Sequence, residues 1–296
     1  GSYLPQIAKK ESVGRVSGIG WAIGYFGGIL TLALSLVTIY QLESMGWEAE
    51  EYVPMTLVIT GVVFLLAAMP TFIYLDRDEI KKIDNLSISF VTNRFLDTLR
   101  QGDRFVDLYR FLLSTVFFQG GVQAVIALAA IYAQQVIGFT FTETIMLIMV
   151  VNVTAALGAY IFGRLHDFMG HRQSLILILT GWIVVTLLAW LSDDRPSFWV
   201  TANLVGLLLG ACQSNTRAFV SVLTPINRQA EFFGLWGLSV KCASILGPLT
   251  YGALTWLTGG DHRNAILSLV VLFVIGLTIL MTVDTERGIS AAKHSY

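Results

Sequence analysis

The sequence predicts an all-α polytopic membrane protein with eight transmembrane helices. Of its 296 residues, 55% are hydrophobic and only 13% are charged, whereas soluble domains carry about 25% charged residues. The apolar residues form continuous runs near the length of about 20 residues that crosses about 30 Å of hydrocarbon. These runs lack the alternation of a membrane β-strand, so helices are predicted throughout.

The predicted spans follow one another with short connections and one long one. They lie at about residues 17–40, 55–75, 111–136, 142–163, 173–191, 197–219, 232–257 and 264–283. Gaps such as 136–142 and 191–197 are too short for a folded domain. The long connection, 76–110, is rich in both charges, and Phe90, Val91, Phe95 and Leu99 fall at helical spacing within it. This predicts an amphipathic helix on the membrane surface, with a partner-binding element as the alternative.

The basic residues set the predicted orientation. Sixteen of the 19 Lys and Arg residues fall on one side of the predicted spans, only Arg195 and Arg263 fall on the other, and Lys241 lies inside a span. Because basic loops stay in the cytosol, both termini are predicted to be cytosolic. The net charge of −1 gives no basic field that would attract nucleic acid. Cys212 and Cys242, both within apolar runs, are interpreted as packing residues.

An internal repeat at an offset of 220 residues indicates two related halves. It pairs residues that open the first and seventh spans: Pro5 with Pro225, Glu11 with Glu231, Gly14 with Gly234 and Gly27 with Gly247. The period is therefore six spans. Two parallel six-helix halves are the architecture of one class of secondary transporters.

A short charged segment between the fourth and fifth spans gives the same register. It contains Gly163, Arg164, Asp167, Gly170 and Arg172. It resembles the signature loop of the major facilitator superfamily, which joins helices 2 and 3 and, in a second copy, helices 8 and 9. As the second copy, it makes the eight spans helices 5–12 of a twelve-helix fold. Residues 1–75 would then hold helices 5 and 6, residues 76–110 the central cytosolic linker, and residues 111–296 the six-helix C-terminal half.

Further segments resemble one branch of that superfamily, the vacuolar amino-acid-effluxer-like permeases of fungi and bacteria. They are Tyr3–Ala8, Gly20–Gly28, Gly121–Gln123 with Ile126–Ala129, and Glu231–Leu235 followed by Ser239, Lys241, Gly247 and Pro248. Two departures stand out. Gln119-Gly120-Gly121 replaces the Asn-Asp-Gly usual in helix 7, which removes a membrane carboxylate and weakens the case for proton coupling there. Phe168 and Gln173 stand where bases are usual in the signature loop.

The resemblance implies a secondary active transporter of a small polar solute, with amino acids among the candidates, in the plasma membrane of a bacterium. Its partners would be membrane lipid and the solute, and a coupling proton is a further partner that the resemblance allows. We expect the chain to lack the first four helices and, by itself, not to transport. The sequence shows no nucleophile elbow, phosphate loop or nucleotide motif, and no enzyme, metal or cofactor is predicted. The alternative is a complete eight-span, non-transporting scaffold or unrecognised membrane enzyme.

Five residues form the predicted cytosolic gate. Asp167 can accept hydrogen bonds from a helix N-terminus or from an arginine of a neighbouring helix, and Arg164 and Arg172 add positive charge beside it. Arg217 is expected to pair with Glu231 or Asp167, or else to anchor its helix at the interface. Glu231 also suits a helix N-terminus through charge–dipole stabilisation. The alternative for the whole segment is a simple topology anchor.

Four residues form the predicted substrate site near the membrane midplane. As a group, Gln119, Gln123 and Gln213 would line the central cavity, although interhelical hydrogen bonding is the slightly favoured explanation for each of them alone. Lys241 lies too deep to reach the surface easily, so it should face protein or a water-filled cavity. It would bind the carboxylate of the substrate or serve coupling. A structural partner for a carboxylate or a backbone carbonyl elsewhere is the alternative.

Overall fold

A computed structural model describes residues 12–74 and 104–293, except the side chains of Thr71, Tyr74 and Phe141, together with Leu4 and Ala8. Every regular element in these residues is helical. In chain order they are α1 (Val13–Ser44), α2 (Ala49–Tyr74), α3 (Val106–Gln135), α4 (Phe141–Met169), α5 (His171–Leu191), α6 (Arg195–Leu223), a 3-10 turn (Ile226–Arg228), α7 (Gln229–Leu257), α8 (His262–Ala265), α9 (Leu267–Met281) and α10 (Thr285–Lys293).

Seven helical segments of the described chain are long and apolar enough to cross a membrane. These are α1, α2 as far as Pro70, α3, α4 from Thr142, α5, the 3-10 turn with α7, and α8 with α9. The remaining predicted span, the sixth in chain order, is α6. It is 29 residues long, but Asn203 and the polar run Gln213–Arg217 lower its apolar content. Many of its side chains are buried among other helices, where a helix need not be as apolar as in lipid. The assignment of the eight predicted spans to helices 5–12 of a twelve-helix fold stays a prediction.

Helix boundaries differ from the predicted spans mainly at the polar ends. The fourth span was predicted to end at residue 163, but α4 continues to Met169. No helix-breaking residue lies between these positions, and the chain turns only at Gly170, whose φ of 87° favours glycine. The third span starts at Val106 rather than residue 111. Residues 76–103 of the predicted linker, including its predicted amphipathic helix, lie outside the described residues, as do Pro5 and Glu11 of the repeat.

The chain divides into two compact units. The first comprises residues 1–25 and 98–296, and the second comprises residues 26–97. In the first unit α3 packs against α7 and α9, while α6 packs against α4 and α5. Trp182 stacks on Phe273 with ring centroids 5.2 Å apart, and Phe111 meets Phe219 at 4.7 Å. These fully buried rings mark a continuous core through the bundle.

The second unit, where described, holds the rest of α1 and the whole of α2. Its large apolar side chains, such as Phe26, Phe64 and Phe72, are mostly exposed. Such surfaces are expected of helices that meet lipid tails or other apolar helices. The chain is thus an all-helical, multi-pass membrane protein in which the first unit holds the buried core.

The last helix of the first unit is fastened by one buried carboxylate. Asp107, near the start of α3, accepts hydrogen bonds from Arg287 Nε at 2.6 Å and Arg287 Nη2 at 2.8 Å. It also accepts one from the backbone N–H of Asp284 at 2.8 Å. This bidentate contact holds α10 against the end of the bundle.

Candidate functional site

The first unit contains a cavity of about 470 Å³. Its walls come from α1, α3, α4, α5, α6, α7 and α9, and they are mainly aliphatic and aromatic. The aromatic lining residues are Trp21, Tyr25, Tyr132, Trp182, Phe198 and Tyr251. Gln123, Asn152 and Gln213 add amide groups and three threonines add hydroxyls, while no charged side chain of the described residues lines the cavity. Such a cavity suits a solute with an apolar part and a few hydrogen-bonding groups.

Two of the three predicted glutamines line this cavity, and the third contacts one of them. Gln119 and Gln123 lie one turn apart on α3, and Gln123 and Gln213 line the cavity directly. Gln119 is completely buried and donates from Nε2 to Oε1 of Gln213 at 3.3 Å. The Oε1 of Gln119 and the indole N–H groups of Trp21 and Trp182 are buried without a hydrogen-bond partner among the described residues. Because buried polar groups are normally satisfied, these three atoms are groups that a polar ligand or water would satisfy.

Lys241 does not join the glutamines. It lies near the middle of α7 with an exposed side chain, and it is not among the residues that line the cavity. The structure therefore separates the only predicted charged member of the substrate site from the three uncharged ones.

Asp167 contacts the start of α1. Its Oδ1 accepts a hydrogen bond from the backbone N–H of Gly14, and its Oδ2 accepts one from Arg15, both at 2.9 Å. The first amides of a helix have no partner within the helix and carry partial positive charge. Of the two partners that the sequence left open for Asp167, the structure shows the helix N-terminus.

A buried polar network continues from this contact across four helices. Arg217 of α6 donates from Nε to Ser17 Oγ at 3.1 Å and from Nη2 to the Ser17 carbonyl at 3.0 Å. The Ser17 hydroxyl of α1 donates to the Ser214 carbonyl at 2.8 Å. His166 of α4 lies 2.7 Å from Ser174 Oγ through Nδ1 and 3.4 Å from Ser214 Oγ through Nε2. Arg217 and Asp167 therefore hold the same turns of α1 from two neighbouring helices.

The other predicted gate residues make separate contacts. The Arg164 guanidinium stacks 3.8 Å above the ring of Tyr160, one turn earlier in its own helix. Arg172 donates to the last carbonyl of α9 at 2.7 Å. Glu231 accepts from Arg228 Nε at 2.9 Å at the start of α7. Arg217 thus donates to Ser17 rather than to either predicted carboxylate in the contacts that the structure describes.

Sequence reasoning missed the centre of this network. His166, Ser17, Ser174 and Ser214 are not among the predicted site residues. All four side chains are almost fully buried. A polar residue inside an apolar segment was the available signal. Among the described residues, no group of three or more His, Cys, Asp or Glu side chains could hold a metal ion.

Comparisons with known proteins agree with this architecture. The family model described as "Vacuole effluxer Atg22 like" matches residues 5–293. The "Uncharacterized MFS-type transporter YxiO" of Bacillus subtilis is 27% identical over 99% of this chain and 68% of its own length. An "Autophagy-related protein 22" of Cryptococcus neoformans is 25% identical over 96% of this chain, which spans only 54% of the fungal protein.

A solved structure shares the fold. The Escherichia coli fucose:proton symporter FucP superimposes with a TM-score of 0.69 over 96% of this chain and 72% of the symporter. The two sequences are 12% identical, so the likeness concerns the fold alone.

Proposed function

This chain belongs to the family described as vacuole effluxer Atg22 like, within the major facilitator superfamily of transporters, and on that premise we propose that it serves secondary active transport of a small polar solute. The mechanism is alternating access, and amino acids are the proposed solutes. The proposed location is the plasma membrane of a bacterium, with both termini in the cytosol.

The observation that carries this proposal is the cavity with its unpartnered polar atoms. Its volume of about 470 Å³ falls within the range of about 300–1,000 Å³ typical of small-molecule sites. The aromatic walls would hold an apolar side chain, while Gln123 and Gln213, which line the cavity, would bind polar groups. A solute without large charged side chains fits these walls best, because none of the described lining residues could neutralise one.

Lys241 keeps a proposed role in a second conformation. An amine midway along an apolar helix needs a protein or aqueous surface around it, and here its side chain is exposed outside the cavity. We propose that it meets the solute carboxylate when the helices rearrange during transport. A coupling proton would need a site elsewhere, because no carboxylate of the described residues lines the cavity.

The contacts on α1 supply a gate for the same mechanism. Asp167 and Arg217 bind the first turns of α1 through Gly14, Arg15 and Ser17. We propose that these contacts close the cytosolic end in one state and break in the other, as in rigid-body transitions between packed helices. Arg164, Arg172 and Glu231 would support this gate through contacts within their own part of the bundle. The non-transporting scaffold or enzyme, left open by the sequence, has no described residue in its favour.

Binding of labelled amino acids to the purified protein in lipid nanodiscs tests the proposal. The Gln213→Ala variant should weaken binding about tenfold, since it removes a buried amide and leaves Gln119 without its partner. Asn203→Ala is the matched control, because Asn203 lies on the same helix and bonds only the Trp199 carbonyl in the contacts described. Absence of binding for every amino acid, or equal losses in both variants, would contradict the proposed site.

A further inference from the structure

A second cavity lies beside the first at one end of the bundle. It measures about 570 Å³ and is wider open to the outside of the molecule than the first. Its walls are Leu128 of α3 together with the C-terminal part of α7 and the turn that follows, which contribute Pro248, Tyr251, Gly252, Thr255, Trp256, Gly259, Gly260 and His262. Leu128 and Tyr251 line both cavities. We propose that Tyr251 closes the entrance from this outer cavity to the inner one.

The turn after α7 holds the Tyr251 side chain between the two cavities. Its ring is buried, with 3% of its surface exposed. Its hydroxyl lies 3.1 Å from Nδ1 of His262 and donates to the His262 carbonyl at 3.3 Å. A buried phenol needs such a partner. His262 therefore sets the position at which the ring separates the two spaces.

The surroundings of Tyr251 allow the ring to move. Pro248, three residues earlier on α7, removes one backbone hydrogen bond and favours a bend there. The turn that carries His262 follows Gly259 and Gly260, whose φ values of 70° and 99° suit glycine. Among the described residues, the Tyr251 hydroxyl bonds His262 alone, so displacing the ring into the outer cavity breaks only these bonds. A solute that passes between the two cavities would pass Tyr251.

Another tyrosine of the inner cavity lacks these features. Tyr132 lines the inner cavity but not the outer one. Its hydroxyl donates to the Ala189 carbonyl at 3.0 Å, and its ring stacks on Phe198 at 5.8 Å. Tyr132 thus ties α3 to α5 and offers a matched control for the loss of a phenol hydroxyl beside the same cavity.

The entrance lies at the end of the bundle opposite the Asp167 contact. Arg263, next to His262, pairs with Asp193 after α5, and Arg195 pairs with Glu143 at the start of α4. Asp167 lies at the other end of α4. Tyr251 would thus form an outer gate, and the physiological role of this gate rests on the proposed transport function. Its test needs no transport, so the two can fail separately.

Thiol labelling from one side of the membrane tests the gate. Thr186 lines the inner cavity and is almost fully buried. Thr186→Cys, in a Cys242→Ser background, places a thiol there for a membrane-impermeant methanethiosulfonate reagent added to whole cells. Tyr251→Phe should raise the labelling rate about threefold to tenfold, as expected when a hydrogen bond that favours the closed state is lost. Tyr251→Ala should raise it at least about tenfold, because the partition itself is removed.

Two internal controls separate opening from unfolding. The native Cys212 is completely buried and does not line the inner cavity, so its labelling without the Thr186→Cys change reports loss of the fold. If Tyr251→Ala exposes Cys212, that variant has lost its fold, and the labelling rate of the Tyr251→Phe variant tests the gate instead. Thr258→Cys, exposed near the outer cavity, shows from which side the reagent must be added. Unchanged labelling of Thr186→Cys in both Tyr251 variants, or an equal rise with Tyr132→Phe, would overturn the proposal.

Discussion

Asp167 binds α1 through consecutive backbone amides rather than through a side chain. A carboxylate that accepts two N–H groups at a helix N-terminus combines charge-assisted hydrogen bonds with the helix dipole. Gly14 lies in direct contact, since a Cβ there would come within 2.7 Å of Asp167 Oδ1. The sequence could not choose between this partner and an arginine, because Arg217 is an equally good donor. In the packed structure Arg217 donates to Ser17, which leaves the α1 amides as the partners of Asp167.

Replacing Asp167 by Asn should loosen the start of α1. The variant keeps one acceptor but loses the charge and the second acceptor, so opening should become easier by about 1–2 kcal/mol. Hydrogen–deuterium exchange of the peptide that contains Gly14 and Arg15 should then rise several-fold. Arg164→Gln is the control, because Arg164 contacts Tyr160 of its own helix. Exchange at α1 that is the same in both variants would show that the carboxylate does not hold this helix.

At the scale of the elements, α1 and α4 touch through small residues. A Cβ on Gly163 would lie 2.9 Å from Gly18 Cα and 3.0 Å from the Gly14 carbonyl oxygen. Such contacts between backbones are the usual basis of close helix packing in membranes. The glycines of this contact bring Asp167 and His166 of α4 within reach of the buried N-terminal turns of α1.

The Gly163→Ala substitution should therefore destabilise the bundle. The added methyl group meets backbone atoms that cannot turn away, at an expected cost of about 1–3 kcal/mol. Gly237→Ala is the matched control, because a Cβ there meets nothing within 4 Å, and alanine favours a helix over glycine. The melting temperature in detergent should fall for Gly163→Ala and stay level or rise for Gly237→Ala. Equal changes would mean that the α1–α4 contact adds no stability.

The sequence predicts that two residues share a face more reliably when both lie on one helix than when they lie on different helices. Gln119 and Gln123 are four residues apart, so the helical period alone puts them on one side of α3. Lys241 does not lie beside these glutamines, because the rotation of α7 about its own axis is set by its packing. This helix buries Ala243, Gly247 and Tyr251, and Lys241 lies about 200° away from Ala243 at about 100° per residue. That rotation depends on contacts with α3, which no local pattern in α7 records.

The end of α4 and the place of His166 show a second limit of local patterns. Hydropathy marks where a helix leaves the apolar zone, so it predicted an end at residue 163. The helix ends at Gly170, the glycine whose φ of 87° leaves the helical region. His166 therefore falls on a helix rather than in a loop, facing Ser174 and Ser214. Its burial follows from the packing of three helices, which composition does not contain.

At the scale of the whole molecule, the predicted orientation assigns a role to each end of the first unit. The end that carries Asp167, Arg172 and Arg287 is rich in basic residues, which predicts a cytosolic position. The opposite end holds Arg195 and Arg263, both paired with carboxylates, so little unpaired positive charge remains there. The polar network on α1 would then face the cytosol and the Tyr251 entrance would face outward.

Labelling of single cysteines in whole cells tests this orientation. Ser290 lies exposed on α10 and Thr258 lies exposed in the turn after α7, so neither substitution disturbs the core. In a Cys242→Ser background, an impermeant thiol reagent should label Thr258→Cys in intact cells and Ser290→Cys only after permeabilisation. The reason is that translocating the basic end would oppose the positive-inside preference. The reverse pattern would exchange the roles of the two gates, while labelling of both sites in intact cells would mean that the chain inserts in two orientations.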